Sequence, residues 1–112
     1  MLRNLTTGNV VATRVDRARS FFDRSIGLLA RAAVRPDEGL WIERCGAIHT
    51  VGMRATIDVI FLDGASRVVG LRPHVRPFHP ALLCRGAKAV VELGDGALER
   101  VDVLIGDRLA LD

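Results

Sequence analysis

The sequence predicts a mainly β fold, a β-sandwich or small barrel, with one short amphipathic helix near the N-terminus. Short runs of strand-forming residues recur along the 112 residues with glycine- or proline-containing turns between them. Apolar residues at helical spacing occur in one stretch near the N-terminus. The chain is long enough for one hydrophobic core, and we expect a single domain over residues 1–112.

The first elements are two short strands and the helix. Leu2–Leu5 and Val10–Ala12 are apolar runs separated by a glycine-containing turn, which favours a pair of strands. Thr13 and Asp16 have the spacing of a helix capping box. Apolar residues then recur every three or four positions, which predicts a helix from about Val15 to Leu29.

The rest of the chain predicts further strands. Residues 57–62 are almost entirely apolar, and a strand of that composition is typically covered on both faces. Asp63-Gly64 then predicts a tight hairpin turn. The three prolines of residues 72–80 predict an irregular loop that contains His74 and His79. The remaining predicted strands are residues 40–42, 67–71, 87–93, 101–105 and 108–111.

Charge and composition narrow the classes of partner. The formal net charge is +3, and all basic residues except Lys88 are arginine, which favours bidentate contacts with carboxylate or phosphate. The arginines are scattered, however, as on an ordinary solvated surface. The few aromatic residues occupy predicted core positions, and no phosphate-binding glycine loop is present. We therefore expect no nucleic-acid partner.

The N-terminal sequence and the cysteines indicate a compartment. MLRNLTTGNV lacks the apolar run of a secretory signal, and no stretch has the length of a transmembrane helix. We expect a cytoplasmic protein without a membrane partner, with Cys45 and Cys84 reduced. Whether these two cysteines lie close together cannot be read from their spacing.

The segment CGAIHTVGMRATIDVIFLD, residues 45–63, contains the main candidate site residues. Polar and charged side chains stand here at the start of an apolar strand, where burying an unpaired polar group costs roughly 2–7 kcal/mol. These groups either satisfy one another or line a site. Arg54 is the natural partner of Asp58, as a structural pair or as two sides of a ligand pocket. The remaining polar candidates are Cys45, His49 and Thr50.

Three further residues complete the candidate set. Glu92 lies within the apolar strand AVVELG and raises the same question as Asp58. Strand pairing could bring these two carboxylates to one cavity, which would suggest acid–base chemistry. Met53 and Trp41 are candidates for apolar lining. Cys45 and His49 could ligate zinc if both stood on one helix face, but Gly46 and Gly52 argue against a helix there. No second Cys/His pair has the spacing of a tetrahedral site, so we expect no metal and no cofactor.

Five segments in a fixed order identify a resemblance. They are SIGLLAR (25–31), EGLWI (38–42), CGAIHTVGMRATIDVIFLD (45–63), GAKAVVELGDG (86–96) and IGDRL (105–109). With these segments the chain is similar, over nearly its whole length, to the family named domain of unknown function 192, which comprises small bacterial and archaeal proteins. Its central segment resembles the subgroup with an Ile-His-Thr…Met-Arg pattern. The resemblance implies a jelly-roll-like sandwich or barrel with a short helix, and it implies no activity.

These observations lead to three hypotheses about function. The first is a bacterial binding module for a small polar or anionic ligand, with His49, Arg54 and Asp58 lining its pocket beside Met53 and Trp41. The second is a small hydrolase or transferase that uses Cys45 as nucleophile and His49 as base. The third is a structural or assembly protein whose central segment is an interface. The ligand, the reaction and the oligomeric state stay open.

Overall fold

Residues 1–18, 34–50 and 53–112 are described by a computed structural model of the chain. Within these ranges the protein consists of ten β-strands and one short helix. The elements are β1 (Leu2–Asn4), β2 (Val10–Ala12), β3 (Arg14–Ala18), β4 (Glu38–Glu43), β5 (Ala47–Ile48), β6 (Ile57–Leu62), β7 (Val68–Val75), β8 (Leu82–Leu83), β9 (Ala89–Gly94), α1 (Ala97–Arg100) and β10 (Leu109–Leu111).

The strands form three sheets. The largest has the order β3-β4-β9-β6-β7, the second has the order β10-β1-β2, and β5 pairs with β8. Pairing is antiparallel except between β3 and β4. The prediction of a mainly β fold is confirmed. The barrel alternative is wrong for the described strands, because β3 and β7 stand at opposite edges of an open sheet.

Apolar side chains cover both faces of the five-stranded sheet. On face A, defined by Trp41, Ile60 and Leu93, they pack with residues of the three-stranded sheet such as Leu2 and Leu109. Side chains of consecutive strand residues point to opposite faces, so the neighbouring positions of the same strands form face B.

Face B is defined by Leu40, Val59 and Val90, and it packs against Ile48 and Leu82 of the small β5–β8 sheet. Because β6 contributes to both faces and lies between β9 and β7, all six of its residues are buried. The prediction that this strand is covered on both sides is confirmed.

The predicted N-terminal helix is wrong for the part of it that is described. Arg14–Ala18 form β3, which pairs in parallel with β4. The Thr13 hydroxyl lies 3.1 Å from a carboxylate oxygen of Asp37, to which it donates, so it does not cap a helix. The remainder of the predicted helix, residues 19–29, lies outside the described residues. The helix that the structure describes is α1, near the C-terminal end.

Two other elements differ from prediction. β7 extends to Val75, so the proline-rich segment begins as strand rather than loop. Residues 101–105, predicted as a strand, follow α1 without forming one. Val103 is buried in this stretch, whereas Leu104 and Ile105 are exposed. The apolar composition of residues 101–105 predicted a strand, but in the described structure these residues do not pair with another strand.

Candidate functional site

The candidate site begins at an irregularity between β6 and β7. Val59 pairs with Arg72 and Ile57 with Val75, so two residues of β7 stand opposite Asp58 alone. This is a β-bulge, a device that redirects side chains and backbone groups at the edge of a sheet. It places the amide of His74 against the Asp58 carboxylate.

Asp58 is fully buried, and backbone amides from two elements satisfy it. Its Oδ1 accepts a hydrogen bond of 2.9 Å from the amide of His74, and its Oδ2 accepts one of 2.8 Å from the amide of Leu98 in α1. Buried polar groups require partners of this kind. The Asp58 carboxylate therefore ties the bulge of β7 to the start of α1, and it makes no salt bridge with Arg54, which is exposed.

His74 lies between two acidic side chains. Its Nδ1 lies 2.5 Å from an oxygen of Asp95, and its Nε2 lies 2.5 Å from an oxygen of Glu99. Hydrogen bonds with Asp95 and then Glu99 raise the pKa of the imidazole, since both carboxylates favour its protonated form. The backbone of His74 has a positive φ of 55°, a conformation that few non-glycine residues adopt.

A groove of about 660 Å³ runs beside this cluster. Its polar lining includes Arg72, Arg76, His74 and His79, and no carboxylate is part of that lining. Neither Arg72 nor Arg76 makes a salt bridge within the described parts of the chain. Val75, Leu82 and Leu83 supply apolar surface. The groove is therefore basic and partly apolar, which suits a small anionic molecule.

Thr50 holds one wall of the groove. Its hydroxyl donates to the carbonyl of Arg76 at 2.8 Å and accepts from the amide of His79 at 2.8 Å. Its backbone amide donates to the carbonyl of His79, and its carbonyl accepts from the amide of Phe78. Thr50 is fully buried, so these four bonds fix residues 76–79 against the central segment. Sequence analysis selected Thr50 as a ligand contact, and the structure gives it this positioning role.

The other residues of the predicted pocket are dispersed. Trp41 belongs to the cluster on face A, where Arg17 lies over its ring at 5.6 Å. Met53 is buried in the cluster on face B. His49 is half-buried beside β5, and its neighbour Thr50 accepts a hydrogen bond from His79 in the wall of the groove.

Glu92 and Asp58 do not face one cavity. Glu92 pairs with Val59 and Asp58 pairs with Leu93, so the two carboxylates point to opposite faces of the sheet. Glu92 is 1% exposed, and neither of its carboxylate oxygens accepts a hydrogen bond from a described residue. Burial raises its pKa to about 7. The acid–base pair suggested by the sequence is therefore absent.

Cys45 lies in an environment that suppresses its reactivity. The thiol is buried and donates to the carbonyl of Ala47 at 3.0 Å. Burial raises the pKa of the Cys45 thiol, and the nearby charge of Glu92 raises it further. Reactive cysteines need the thiolate, which these surroundings disfavour.

Of the residues that converge at the β7 bulge, sequence analysis selected Asp58 alone. It placed His74 in a predicted loop and gave Asp95 and Glu99 no role in a site. The spacing of Asp58, His74 and Asp95 along the chain carries no signal, since strand register and the bulge bring them together. Arg72 and Arg76 flank the bulge and were counted among the scattered arginines.

Comparison with known proteins identifies the family. The family DUF192, described as Uncharacterized ACR, matches residues 3–111. The chain belongs to this family. It is 35% identical to the UPF0127 protein of Pyrococcus furiosus, with 95% of this chain and 93% of the relative aligned. It is 34% identical to a UPF0127 protein of Thermococcus sibiricus, with 97% of this chain and 73% of the relative aligned.

Solved structures share the fold. A crystal structure of a protein of unknown function from Novosphingobium aromaticivorans aligns with a TM-score of 0.76 and 22% identity, over 87% of this chain and 74% of that chain. A candidate transcription regulator from Sinorhizobium meliloti aligns with a TM-score of 0.75 and 24% identity, over 86% of this chain and 79% of that chain. At these identities the likeness concerns the fold alone. In the described residues, no helix is both long and apolar enough to cross a membrane.

Proposed function

We propose that the protein is a binding module for a small anionic ligand, which the groove along β7 takes up. The observation that carries the proposal is the pair Arg72 and Arg76, which line this groove without a salt-bridge partner among the described residues. Guanidinium groups bind carboxylate and phosphate through paired, charge-assisted hydrogen bonds. A ligand with one such group and a small apolar part would match the lining.

The wall that carries Arg76 supports this proposal. Thr50 fixes residues 76–79 through four hydrogen bonds. A site whose backbone is already ordered loses less conformational freedom when a ligand binds. The central segment thus contributes through the placement of Thr50, while the ligand contacts come from β7 and the residues after it.

Thermal denaturation of the full chain in the presence of inorganic phosphate or succinate tests the proposal. At a ligand concentration of 100 times Kd, a single site adds about 2.7 kcal/mol to the free energy of unfolding. Arg72→Gln and Arg76→Gln should each weaken binding about 10- to 100-fold, because a hydrogen bond to a charged group contributes about 1.5–3 kcal/mol. Isothermal titration calorimetry gives the affinities directly.

Arg85→Gln is the matched control, since Arg85 is exposed and does not line the groove. It should leave the affinity for phosphate and succinate unchanged. If neither anion stabilises the protein, or if all three variants respond as the wild type does, the groove is not an anion site.

A further inference from the structure

We propose that Asp58, His74 and Asp95 form a binding site for a divalent transition-metal ion such as Zn²⁺ or Mn²⁺. One carboxylate oxygen from each aspartate and one ring nitrogen of His74 all lie within 4.8 Å of one another. The three side chains come from β6, β7 and the turn after β9. The donor set is therefore held by the register of the sheet, as a specific metal site requires.

The local charge favours a cation. Asp58, Asp95 and Glu99 carry three formal negative charges. The salt bridges of Asp95 and Glu99 in the described structure are both with His74, and Asp58 is bound by neutral amides. No described arginine or lysine therefore forms a salt bridge with these carboxylates, and a divalent cation would reduce their negative charge.

Glu99 orients the imidazole for metal binding. Its carboxylate oxygen lies 2.5 Å from Nε2 of His74, so it holds the ring proton at that nitrogen. In the metal complex Nδ1 would have no proton, and its lone pair would point to the ion on the side of Asp95. Metal-ligating histidines are typically held in this way, with the second ring nitrogen donating to a carboxylate. Because metal–ligand bonds are about 2.0–2.2 Å long, the half-exposed His74 and Asp95 side chains, with Nδ1 and the carboxylate oxygen now 2.5 Å apart, would separate slightly to admit the ion.

Asp58 supplies a fixed ligand from inside the protein. Each of its oxygens accepts one amide hydrogen bond, and a carboxylate oxygen can accept two. One position at each oxygen is therefore available to a metal without loss of the bonds that hold α1 and β7 together. His74 and Asp95 are both about half exposed, so the ion enters from their side.

The donor types select the class of metal. Ca²⁺ and Mg²⁺ prefer sites made of oxygen ligands, whereas an imidazole nitrogen with carboxylates suits Zn²⁺, Mn²⁺ and neighbouring ions. Three protein ligands leave positions for water. His74 also lines the groove, but the anion-binding proposal rests on Arg72 and Arg76, which supply no ligand to the metal site, so the inference does not depend on that proposal.

Isothermal titration calorimetry of the full chain with ZnCl₂ and with MnCl₂ tests the site. We expect one ion per chain for at least one of the two metals. In NMR spectra of the full chain, the ring signals of His74 should shift and those of His79 should not.

Variants distinguish this site from binding elsewhere. Asp95→Asn and His74→Gln should weaken binding of the metal at least 10-fold, and Glu99→Gln should weaken it about 10- to 100-fold through the ring orientation. His79→Gln and Cys84→Ser are controls that should bind as the wild type does. Circular dichroism of the metal-free variants checks that each one is folded.

Two results would overturn the proposal. The first is the absence of binding heat with both metals. The second is wild-type affinity in folded Asp95→Asn and His74→Gln, which would place any bound ion at other residues. Loss of phosphate binding in Arg72→Gln with unchanged metal affinity would leave this site intact, so the two proposals fail separately.

Discussion

Glu92 shows how burial among apolar side chains makes the ionisation of a carboxyl group less favourable. Its side chain points to face B, among residues such as Leu40 and Val59, and it has no hydrogen-bond donor among the described residues. Ionisation there costs free energy because the charge loses its hydration. Its pKa in the folded protein is therefore about 7, against an ordinary value of 4.5.

We predict that Glu92→Gln removes a pH dependence of stability. Since the folded state holds the proton up to about pH 7 and the unfolded state releases it near pH 4.5, the wild type should lose stability as pH rises between these values. The loss should reach about 3 kcal/mol at most. Urea denaturation from about pH 4 to about pH 8 measures it.

The glutamine variant should lack this loss, whereas Asp102→Asn, at an exposed position, should retain it. Parallel stability curves for wild type and Glu92→Gln across this range would show that Glu92 does not titrate there.

The two thiols provide a prediction about the enzyme hypothesis. Because Cys45 is buried, with its pKa raised by burial, it should react with iodoacetamide more slowly than Cys84, which is half-buried. Peptide mass spectrometry after brief labelling of the native protein distinguishes them. Denatured protein, in which both thiols should label alike, is the control. Faster labelling of Cys45 than of Cys84 in the native protein would contradict this prediction and support the nucleophile hypothesis.

At the scale of elements, the backbone packing of β9 depends on two glycines. A Cβ at Gly39 in β4 would lie 1.8 Å from the carbonyl oxygen of Glu92 in β9, and a Cβ at Gly94 in β9 would lie 2.1 Å from that of Arg35, in the segment before β4. Real Cβ atoms do not come so close to backbone, so the backbone would have to move at either position. β9 is the central strand of the sheet, and a shift there would disturb both of its neighbours.

We predict that Gly39→Ala and Gly94→Ala each destabilise the protein by about 1–3 kcal/mol or more, as overpacking does. Urea denaturation provides the values. Gly64→Ala is the matched control, because a Cβ at Gly64 would meet its nearest atom at 3.9 Å and its backbone φ is not positive. A destabilisation of Gly64→Ala equal to that of Gly39→Ala would contradict the steric argument.

The strands differ in how far local sequence predicts them. β6 was predictable because a run of six residues that is apolar except for Asp58 is typical of a strand covered on both faces. The segment Arg14–Ala18 was not, because Thr13 and Asp16 match a capping box while the actual partner of Thr13 is Asp37, far along the chain. Tertiary pairing with β4 overrides the helical spacing.

At the scale of the whole molecule, the fold class was predictable, whereas of the three residues at the β7 bulge only Asp58 was selected from the sequence. Composition, turn spacing and the family resemblance all indicated a β protein, and the family is confirmed. The predicted pocket assumed that residues close in the chain act together, yet Asp58 and Arg54 are not paired. The bulge of β7 and the register of β9 place Asp58, His74 and Asp95 together, and these are properties of strand pairing.

The position of β9 in the sheet also affects how the chain folds during its synthesis. β9 pairs with β4 on one side and β6 on the other, although it follows both in sequence. At a synthesis rate of about 5–20 residues per second, roughly 2–10 s pass between completion of β4 and the start of β9. In the later part of that interval β6, apolar except for Asp58, has β7 for a partner and one open edge. An open edge of this composition promotes aggregation, and the arrival of β9 closes it.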